Sequence, residues 1–147
     1  MIAATTQLNT AGADLAAIDG VHAMTDITGF GLLGHLLEIT RASKLAARVE
    51  LARLPLFPGV GELAQNGHVT GASERNWASY GSEVQLDDGI ADWQRALLTD
   101  PQTSGGLLVS CAPESRDAVL EIFRQRGFVQ ATEIGRLDAG SQISIGA

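Results

Sequence analysis

Residues 25–33 read TDITGFGLL and join a predicted buried strand to a predicted amphipathic helix. A related stretch, TDPQTSGGLL, occupies residues 99–108. Each of these two stretches, called the first motif and the second motif below, places a carboxylate beside hydroxyl groups, then glycines, then an apolar run. A carboxylate can hold a hard cation, and glycines let backbone N–H groups approach an anion closely. If the two motifs meet in space, they predict a site for a nucleotide or another phosphate.

The length and composition of the chain are those of one globular domain. It has 147 residues, and 45% of them are hydrophobic, which argues against disorder. Cys111 is the only cysteine, so no disulfide can form within the chain, and a reducing compartment fits. The first twenty residues lack the pattern of a signal peptide, and no apolar run is long enough to span a membrane. We therefore expect a cytoplasmic protein.

The charge distribution limits the partners. The formal net charge is -7, no Lys or Arg precedes Arg41, and Lys44 is the only lysine. This balance disfavours a nucleic acid or an anionic membrane as a partner. It also leaves the first motif without a basic residue nearby, although phosphate sites usually recruit one. Either a cation such as Mg²⁺ supplies the positive charge, or basic groups come from elsewhere.

The periodicity of apolar residues predicts a chain that mixes helices and strands. Helices are predicted over residues 3–18, 31–43, 59–66 and 90–98, and from Pro113 to Gly127. Strands are predicted over residues 21–24, 45–51, 83–86, 107–111, 128–137 and 142–145. The polar stretch 67–82 predicts a long loop. This order favours an α+β fold or an α/β sandwich, with helices packed on a mixed sheet.

The first motif has two interpretations. A helix beginning near Gly31 directs its free N–H groups towards Asp26 and Thr28, and such a helix end attracts anions. Mg²⁺ bound by Asp26 would convert repulsion between the carboxylate and a phosphate into a bridge. Alternatively, Asp26 and Thr28 only cap the helix, as Asp and Thr commonly do.

The second motif is equally open. Thr103, Ser104 and the glycines after them offer hydroxyl and backbone donors, which suit an anion-binding nest. The alternative is an ordinary turn into a strand, in which Asp100 forms an Asx-turn and glycine supplies the positive φ.

Other polar or reactive side chains also have two interpretations each. His35 is either packed in the core or a ligand, and Cys111 is either buried and inert or a nucleophile. Four residues of the polar stretch 67–82 could contact a nucleotide, or could be solvated or anchor the loop: Arg75, Asn76, Trp77 and Tyr80.

Taken together, the motifs resemble those of a known family. Residues 23–35 and 98–108 closely resemble two signatures of the selenophosphate synthetase (selenide, water dikinase) family, and residues 70–76 and 80–81 also resemble that family. The order and spacing agree over nearly the whole chain. Aminoimidazole ribonucleotide synthetase and thiamine monophosphate kinase are related enzymes that share the architecture.

The resemblance implies a fold, a reaction and a set of site residues. The fold would be like the C-terminal domain of aminoimidazole ribonucleotide synthetase. The enzymes of the family use ATP, Mg²⁺, selenide and water to make selenophosphate, AMP and phosphate. The match implies that Asp26 is a metal ligand, and the expected contacts to the cofactor are Thr28, Gly29, Gly31, Thr103, Ser104 and Gly105.

The resemblance also implies what this chain would lack. Residues 1–147 correspond to a single C-terminal domain, and the family's N-terminal half carries the reactive Cys or Sec, the lysine and most metal-binding aspartates. We therefore expect no catalytic residue in this chain and no activity from it alone. The expected partners are ATP, selenide and the N-terminal domain, with a homodimer formed by the full-length enzyme. The alternatives are another enzyme of the same superfamily and a non-catalytic module.

Overall fold

Helices and strands alternate irregularly along residues 5–147, the part of the chain that the computed structural model describes. The helices are α1 (Ala11–Leu15), α2 (Gly31–Ser43), α3 (Val60–Gln65), α4 (Gly71–Tyr80), α5 (Asp92–Thr99) and α6 (Arg116–Gln125). The strands are β1 (Val21–Asp26), β2 (Leu45–Glu50), β3 (Val84–Leu86), β4 (Leu107–Cys111), β5 (Gly135–Ala139) and β6 (Ile143–Gly146). Short 3₁₀ turns occupy Leu51–Arg53, Gly81–Glu83 and Pro113–Ser115.

The strands form two separate sheets. β1 and β4 make an antiparallel ribbon, and the other sheet has the order β3-β6-β2-β5. In the larger sheet β6 runs parallel to both β2 and β3, whereas β5 is antiparallel to β2. Both parallel and antiparallel pairs occur, so the predicted mixed sheet is confirmed.

The core lies between α2 and the larger sheet. Leu33 and Leu37 of α2, with Ile143 and Ile145 of β6, are at most 2% exposed. Full burial of each such side chain contributes about 1.5–3 kcal/mol. A second cluster joins α1 to α6 through Ala11, Leu15, Val119 and Phe123. The first cluster holds α2 in place, and the first motif leads directly into that helix.

Most predicted elements occur near their expected bounds, and α2 has the predicted bounds. It ends at Ser43, and Lys44 follows with a left-handed φ of 56°, a common conformation just after a helix. The predicted buried face is present, because Leu33, Leu36, Leu37 and Ile39 are all buried, and burial extends beyond that face to Gly34 and His35. Packing on several sides makes this helix a rigid support for the first motif.

The prediction of a long loop over residues 67–82 is wrong. Residues 71–80 form α4, which begins where the Thr70 hydroxyl accepts a hydrogen bond from the Ser73 N–H at 3.2 Å. Ser73, Trp77 and Tyr80 follow at the i, i+4, i+7 spacing of one helix face, and Ser73 and Tyr80 are buried. Few aliphatic residues mark this face, and for that reason its periodicity was weak in the sequence.

Two other predicted elements are shorter than expected. Within the described residues, the helix predicted over 3–18 is interrupted: residue 5 is helical, residues 6–10 are not, and α1 follows, while residues 3 and 4 lie outside the described residues. The strand predicted over 128–137 begins only at Gly135, which pairs with Val49 near the end of β2. Glu50, the last residue of β2, donates one further backbone hydrogen bond to the Ile134 carbonyl at 2.9 Å, and β2 ends there. No helix within residues 5–147 is long and apolar enough to cross a membrane.

Candidate functional site

The two motifs lie against each other, as the sequence required for a shared site. β1 and β4 are paired so that Asp26 lies opposite Leu107. Beyond the ribbon, the Ile27 N–H donates to the Gly106 carbonyl at 2.9 Å, and the Gln102 N–H donates to the Thr28 carbonyl at 3.0 Å. Backbone hydrogen bonds therefore join the two motifs along their length.

One glycine of each motif allows this close approach. A Cβ on Gly105 would lie 2.1 Å from the Ile27 carbonyl oxygen, and a Cβ on Gly31 would lie 2.6 Å from the Thr99 carbonyl carbon. Gly31 also has a φ of +67°, which side chains rarely adopt. Both residues are therefore glycine because the motifs pack together.

The other glycine of each motif has open space around it. A Cβ on Gly29 or on Gly106 would meet nothing within 4 Å among the described residues. Neither packing nor backbone conformation explains glycine at these two positions. A ligand approaching the backbone would explain it.

Asp26 lies at the end of β1 with its side chain exposed. Its carboxylate takes part in no hydrogen bond or ion pair with residues 5–147, and the Thr25 hydroxyl bonds only the Asp26 backbone carbonyl. The described residues contain no cluster of three or more His, Cys, Asp or Glu side chains able to hold a metal ion. A lone carboxylate is still compatible with Mg²⁺, which usually takes one or two carboxylates plus water and phosphate oxygens.

The prediction that Asp26 and Thr28 merely cap α2 is wrong. The N-cap residue is Phe30, and among residues 5–147 the side chains of Asp26 and Thr28 accept no hydrogen bond from the N–H groups at the start of α2. The Thr28 hydroxyl instead lies 3.0 Å from Nε2 of His35. The Gly34 N–H contacts the Tyr80 hydroxyl. Among residues 5–147 the Leu32 and Leu33 N–H groups have no side-chain partner, so an anion could use them.

His35 is packed in the core, as predicted. It is 6% exposed, and its Nδ1 lies 3.0 Å from a Glu38 carboxylate oxygen. Both ring nitrogens are therefore occupied by protein groups.

Asp100 in the second motif is engaged, unlike Asp26. Its carboxylate accepts a hydrogen bond from the Thr70 hydroxyl at 3.0 Å. The predicted Asx-turn is wrong, because the Gln102 N–H that it needs donates to Thr28. The positive φ of the loop belongs to Ser104, at 53°, and not to a glycine. Thr103 and Ser104 are exposed at the tip of the loop.

Asn76 is a site residue whose role sequence reasoning missed. Its amide nitrogen donates to the Gly29 carbonyl and to the Thr99 carbonyl, both at 2.9 Å. One side chain of α4 thus connects the first motif to the second. The sequence predicted a possible phosphate contact for Asn76, and the structure adds this connection between the two motifs. The N-cap at Thr70 was the available signal that residues 71–80 form a helix.

The aromatic residues of α4 anchor it, as one of the two interpretations predicted. The Tyr80 hydroxyl donates to the Phe30 carbonyl at 2.6 Å, and burial raises the pKa of Tyr80 to about 12. Trp77 lies against Gly81 and carries the Arg95 guanidinium 5.3 Å from its ring centroid. Arg75 is exposed, as expected of a solvated arginine.

Cys111, at the end of β4, is half-buried. Burial raises the pKa of its thiol, which keeps the thiol protonated and weakly nucleophilic. The prediction of an inert cysteine fits this environment.

Comparison with known proteins identifies the class of domain. The family described as "AIR synthase related protein, C-terminal domain" matches residues 3–147. The chain belongs to this family. Its mixed sheet with packed helices agrees with the predicted fold class.

The most informative relatives are curated enzymes of one name. The selenide, water dikinase of Pseudomonas straminea is 57% identical over 141 residues, which cover 96% of this chain and 40% of that enzyme. The selenide, water dikinase of Burkholderia ambifaria (strain MC40-6) is 56% identical over 146 residues, which cover 99% of this chain and 41% of that enzyme. The chain therefore spans less than half the length of these relatives.

Solved structures support the fold at lower identity. The thiamine-monophosphate kinase of Stenotrophomonas maltophilia K279a gives a TM-score of 0.56 at 22% identity, over 86% of this chain and 31% of that protein. E. coli HypE, a hydrogenase maturation protein, gives a TM-score of 0.62 at 16% identity, over 93% of this chain and 34% of that protein. At such identities the likeness concerns the fold alone.

Proposed function

We propose that this chain is the C-terminal domain of a selenide, water dikinase, which makes selenophosphate, AMP and phosphate from selenide, ATP and water. One observation carries the proposal. The joined motifs hold the Asp26 carboxylate, which has no hydrogen-bond or ion-pair partner among residues 5–147, a few residues before the N-terminus of α2, where Phe30 provides no side-chain cap. The 57% identity to a curated selenide, water dikinase over nearly the whole chain supports this particular reaction.

The residues of the first motif suit a Mg²⁺–phosphate group. Asp26 would hold the cation, and bound Mg²⁺ would neutralise charge on the phosphates. The free N–H groups of α2 would attract a phosphate, and Gly29 would leave room for it. The Gly31 N–H donates to the Thr28 carbonyl at 3.1 Å, so Gly31 contributes shape and not a donor.

The second motif would border the same ligand. Thr103 and Ser104 carry exposed hydroxyl groups on the loop that packs against the first motif. Gly105 brings that loop close to Ile27. We assign these three residues to the rim of the ATP site. Asp100 has a structural role in this proposal, because its carboxylate accepts a hydrogen bond from Thr70 at the start of α4.

The remainder of the enzyme would supply what this domain does not. Phosphoryl transfer needs several cations or metal ions around the phosphates. The chain has a net charge of -7 and a single lysine, Lys44 at the far end of α2, so basic groups would come from an N-terminal domain. ATP, selenide and that domain are the proposed partners, in a cytoplasmic enzyme that dimerises at full length. The 147 residues alone would be inactive.

A graft tests this function directly. Residues 1–147 would replace the matching part of the Pseudomonas straminea enzyme, and ATP consumption would be measured with and without selenide. We expect selenide-dependent formation of AMP by the graft and none by the isolated chain. A folded graft that consumes ATP without selenide, or that turns over thiamine monophosphate instead, would overturn the assignment.

A further inference from the structure

Three side chains of the first motif and α2 form a continuous hydrogen-bonded chain. The Thr28 hydroxyl lies 3.0 Å from Nε2 of His35, and Nδ1 of His35 lies 3.0 Å from Oε2 of Glu38. The imidazole is almost fully buried, whereas the Glu38 side chain is 53% exposed. We call these residues the 28–35–38 relay.

The chemistry of the three groups sets the direction of each hydrogen bond. A carboxylate only accepts, so Nδ1 of His35 must carry the proton that it donates to Glu38. A neutral imidazole has one N–H group, which leaves Nε2 as an acceptor. When the ring is neutral, the Thr28 hydroxyl therefore donates its proton to Nε2. Its oxygen lone pairs are left for any ligand.

The surroundings of His35 hold the ring in this position. Glu38 follows at i+3, one turn further along α2, where side chains of a helix meet. The Phe30 ring also packs against the imidazole, with ring centroids 5.9 Å apart and an angle of 54° between the ring planes. The buried ring cannot turn its N–H towards Thr28 without losing the carboxylate.

We infer that His35 and Glu38 are positioning residues that present the Thr28 oxygen as an acceptor towards a hydrated divalent cation. A phosphate oxygen needs a donor, and the only proton of Thr28 is already used. A cation, or a water bound to it, needs a lone pair. Thr28 thus belongs with Asp26, two residues earlier, and not with the phosphate-binding glycines. This assignment rests on the proposed function for the cation, but the relay itself does not.

The relay can be tested on the 147-residue chain by ¹⁵N NMR of its histidine rings. Recorded at alkaline pH, where the imidazole is neutral, His35 should show a protonated Nδ1 and a bare Nε2. His22 and His68 are exposed and provide internal references that exchange between tautomers. In the Glu38→Gln variant, His35 should no longer carry its proton on Nδ1 alone. A proton on Nε2 in the unmodified chain would overturn the inference.

The role of Thr28 can be tested in the graft by its Mg²⁺ requirement. Groups that orient a metal site typically change metal affinity about 10–100-fold, so Thr28→Val should raise the Mg²⁺ concentration for half-maximal activity about 10-fold. Thr28→Ser keeps the hydroxyl and should reach half-maximal activity at the same Mg²⁺ concentration as the unmodified graft. At saturating Mg²⁺ the KM for ATP should be unchanged.

Three results distinguish a failure of the inference about Thr28 from a failure of the proposed function. Loss of thermal stability in Thr28→Val without a change in Mg²⁺ requirement would show a purely structural role and contradict the inference. A raised KM for ATP at saturating Mg²⁺ would place Thr28 on the phosphate and contradict it as well. An inactive graft with the expected His35 tautomer would count against the proposed function while leaving the relay intact.

Discussion

The first and second motifs contain the same kinds of residue in the same order, yet the structure uses them differently. The Asp26 carboxylate has no partner among residues 5–147, whereas the Asp100 carboxylate accepts a hydrogen bond from Thr70. The first motif leads into the buried helix α2, and the second leads into the ribbon strand β4. Similar composition therefore does not give similar function, because the partners of each carboxylate decide whether it is free for a ligand.

The glycines extend the comparison. Gly31 and Gly105 each bring backbone of one motif against backbone of the other, while Gly29 and Gly106 have open surroundings. In each motif, one glycine therefore lets the two motifs pack together, and the other leaves the backbone open to a ligand. The predictions below start with the largest expected effect.

Replacing Asp26 by Asn in the graft should nearly abolish activity. Loss of a group that only orients a metal ligand lowers activity about 10–100-fold. Loss of the ligand itself should therefore lower activity by about 100-fold or more. Selenide-dependent AMP formation at fixed Mg²⁺ would measure it. Asp88→Asn is the matched control, since Asp88 is exposed and distant in sequence from both motifs. Equal activity of the two variants would remove Asp26 from the site.

The two glycines of the second motif should differ in their effect on stability. Gly105→Ala places a Cβ 2.1 Å from a backbone oxygen, and overpacking of this kind costs about 3 kcal/mol. Gly106→Ala meets no described atom within 4 Å and should change the free energy of unfolding by less than about 0.5 kcal/mol. Urea unfolding of both chains measures the difference. Similar values would show that the motifs do not pack as described.

Asn76→Ala should loosen the connection between the motifs. Two hydrogen bonds to backbone carbonyls are lost, at about 0.5–1.5 kcal/mol each, and the gain in helix propensity offsets part of that. We expect a free energy of unfolding lower by about 1–2 kcal/mol. Asn66→Ala, at the exposed end of α3, is the control and should change little. Hydrogen exchange at residues 28–31 should also quicken in Asn76→Ala alone.

Tyr80→Phe should have the smallest effect at neutral pH, about 1 kcal/mol for the lost bond to Phe30. Its signature is a pH dependence. The folded-state pKa of Tyr80 is about 12, above the ordinary value of about 10, so the unfolded chain ionises first. The unmodified chain therefore keeps the stabilisation that the buried, neutral Tyr80 contributes below about pH 10. It loses this stabilisation as the pH rises towards 12. The Phe variant should lack that loss, and parallel alkaline profiles would contradict the burial of Tyr80.

The sequence predicted the parts of the fold that local patterns specify. The apolar spacing of residues 31–43 gave the bounds of α2, and Pro113 and Gly127 bracketed the segment that contains α6. It failed where tertiary contacts decide. The helix α4 is polar and is held by Ser73 and Tyr80, whose partners lie far along the chain. The pairing of Gly135 with β2, and hence the start of β5, is likewise non-local.

The sequence predicted which residues form the candidate site, but it did not predict the different roles of these residues. The motif pattern pointed to Asp26 and the glycines, and the meeting of the two motifs is confirmed. Asp26 and Asp100 differ in their partners: Asp100 accepts a hydrogen bond from Thr70, 30 positions away, and a longer one of 3.4 Å from the Gln102 amide. Likewise, Asn76 reaches Gly29 across 47 positions, which only the folded chain reveals.

The most direct test of this contrast is calorimetric titration of ATP into the graft, with and without Mg²⁺, for Asp26→Asn and Asp100→Asn side by side. We predict that Asp26→Asn abolishes Mg²⁺-dependent binding, while Asp100→Asn retains it and only lowers the free energy of unfolding, by about 1 kcal/mol. Retention of Mg²⁺-dependent binding in Asp26→Asn, or its loss in a folded Asp100→Asn, would contradict the division of roles between the two motifs.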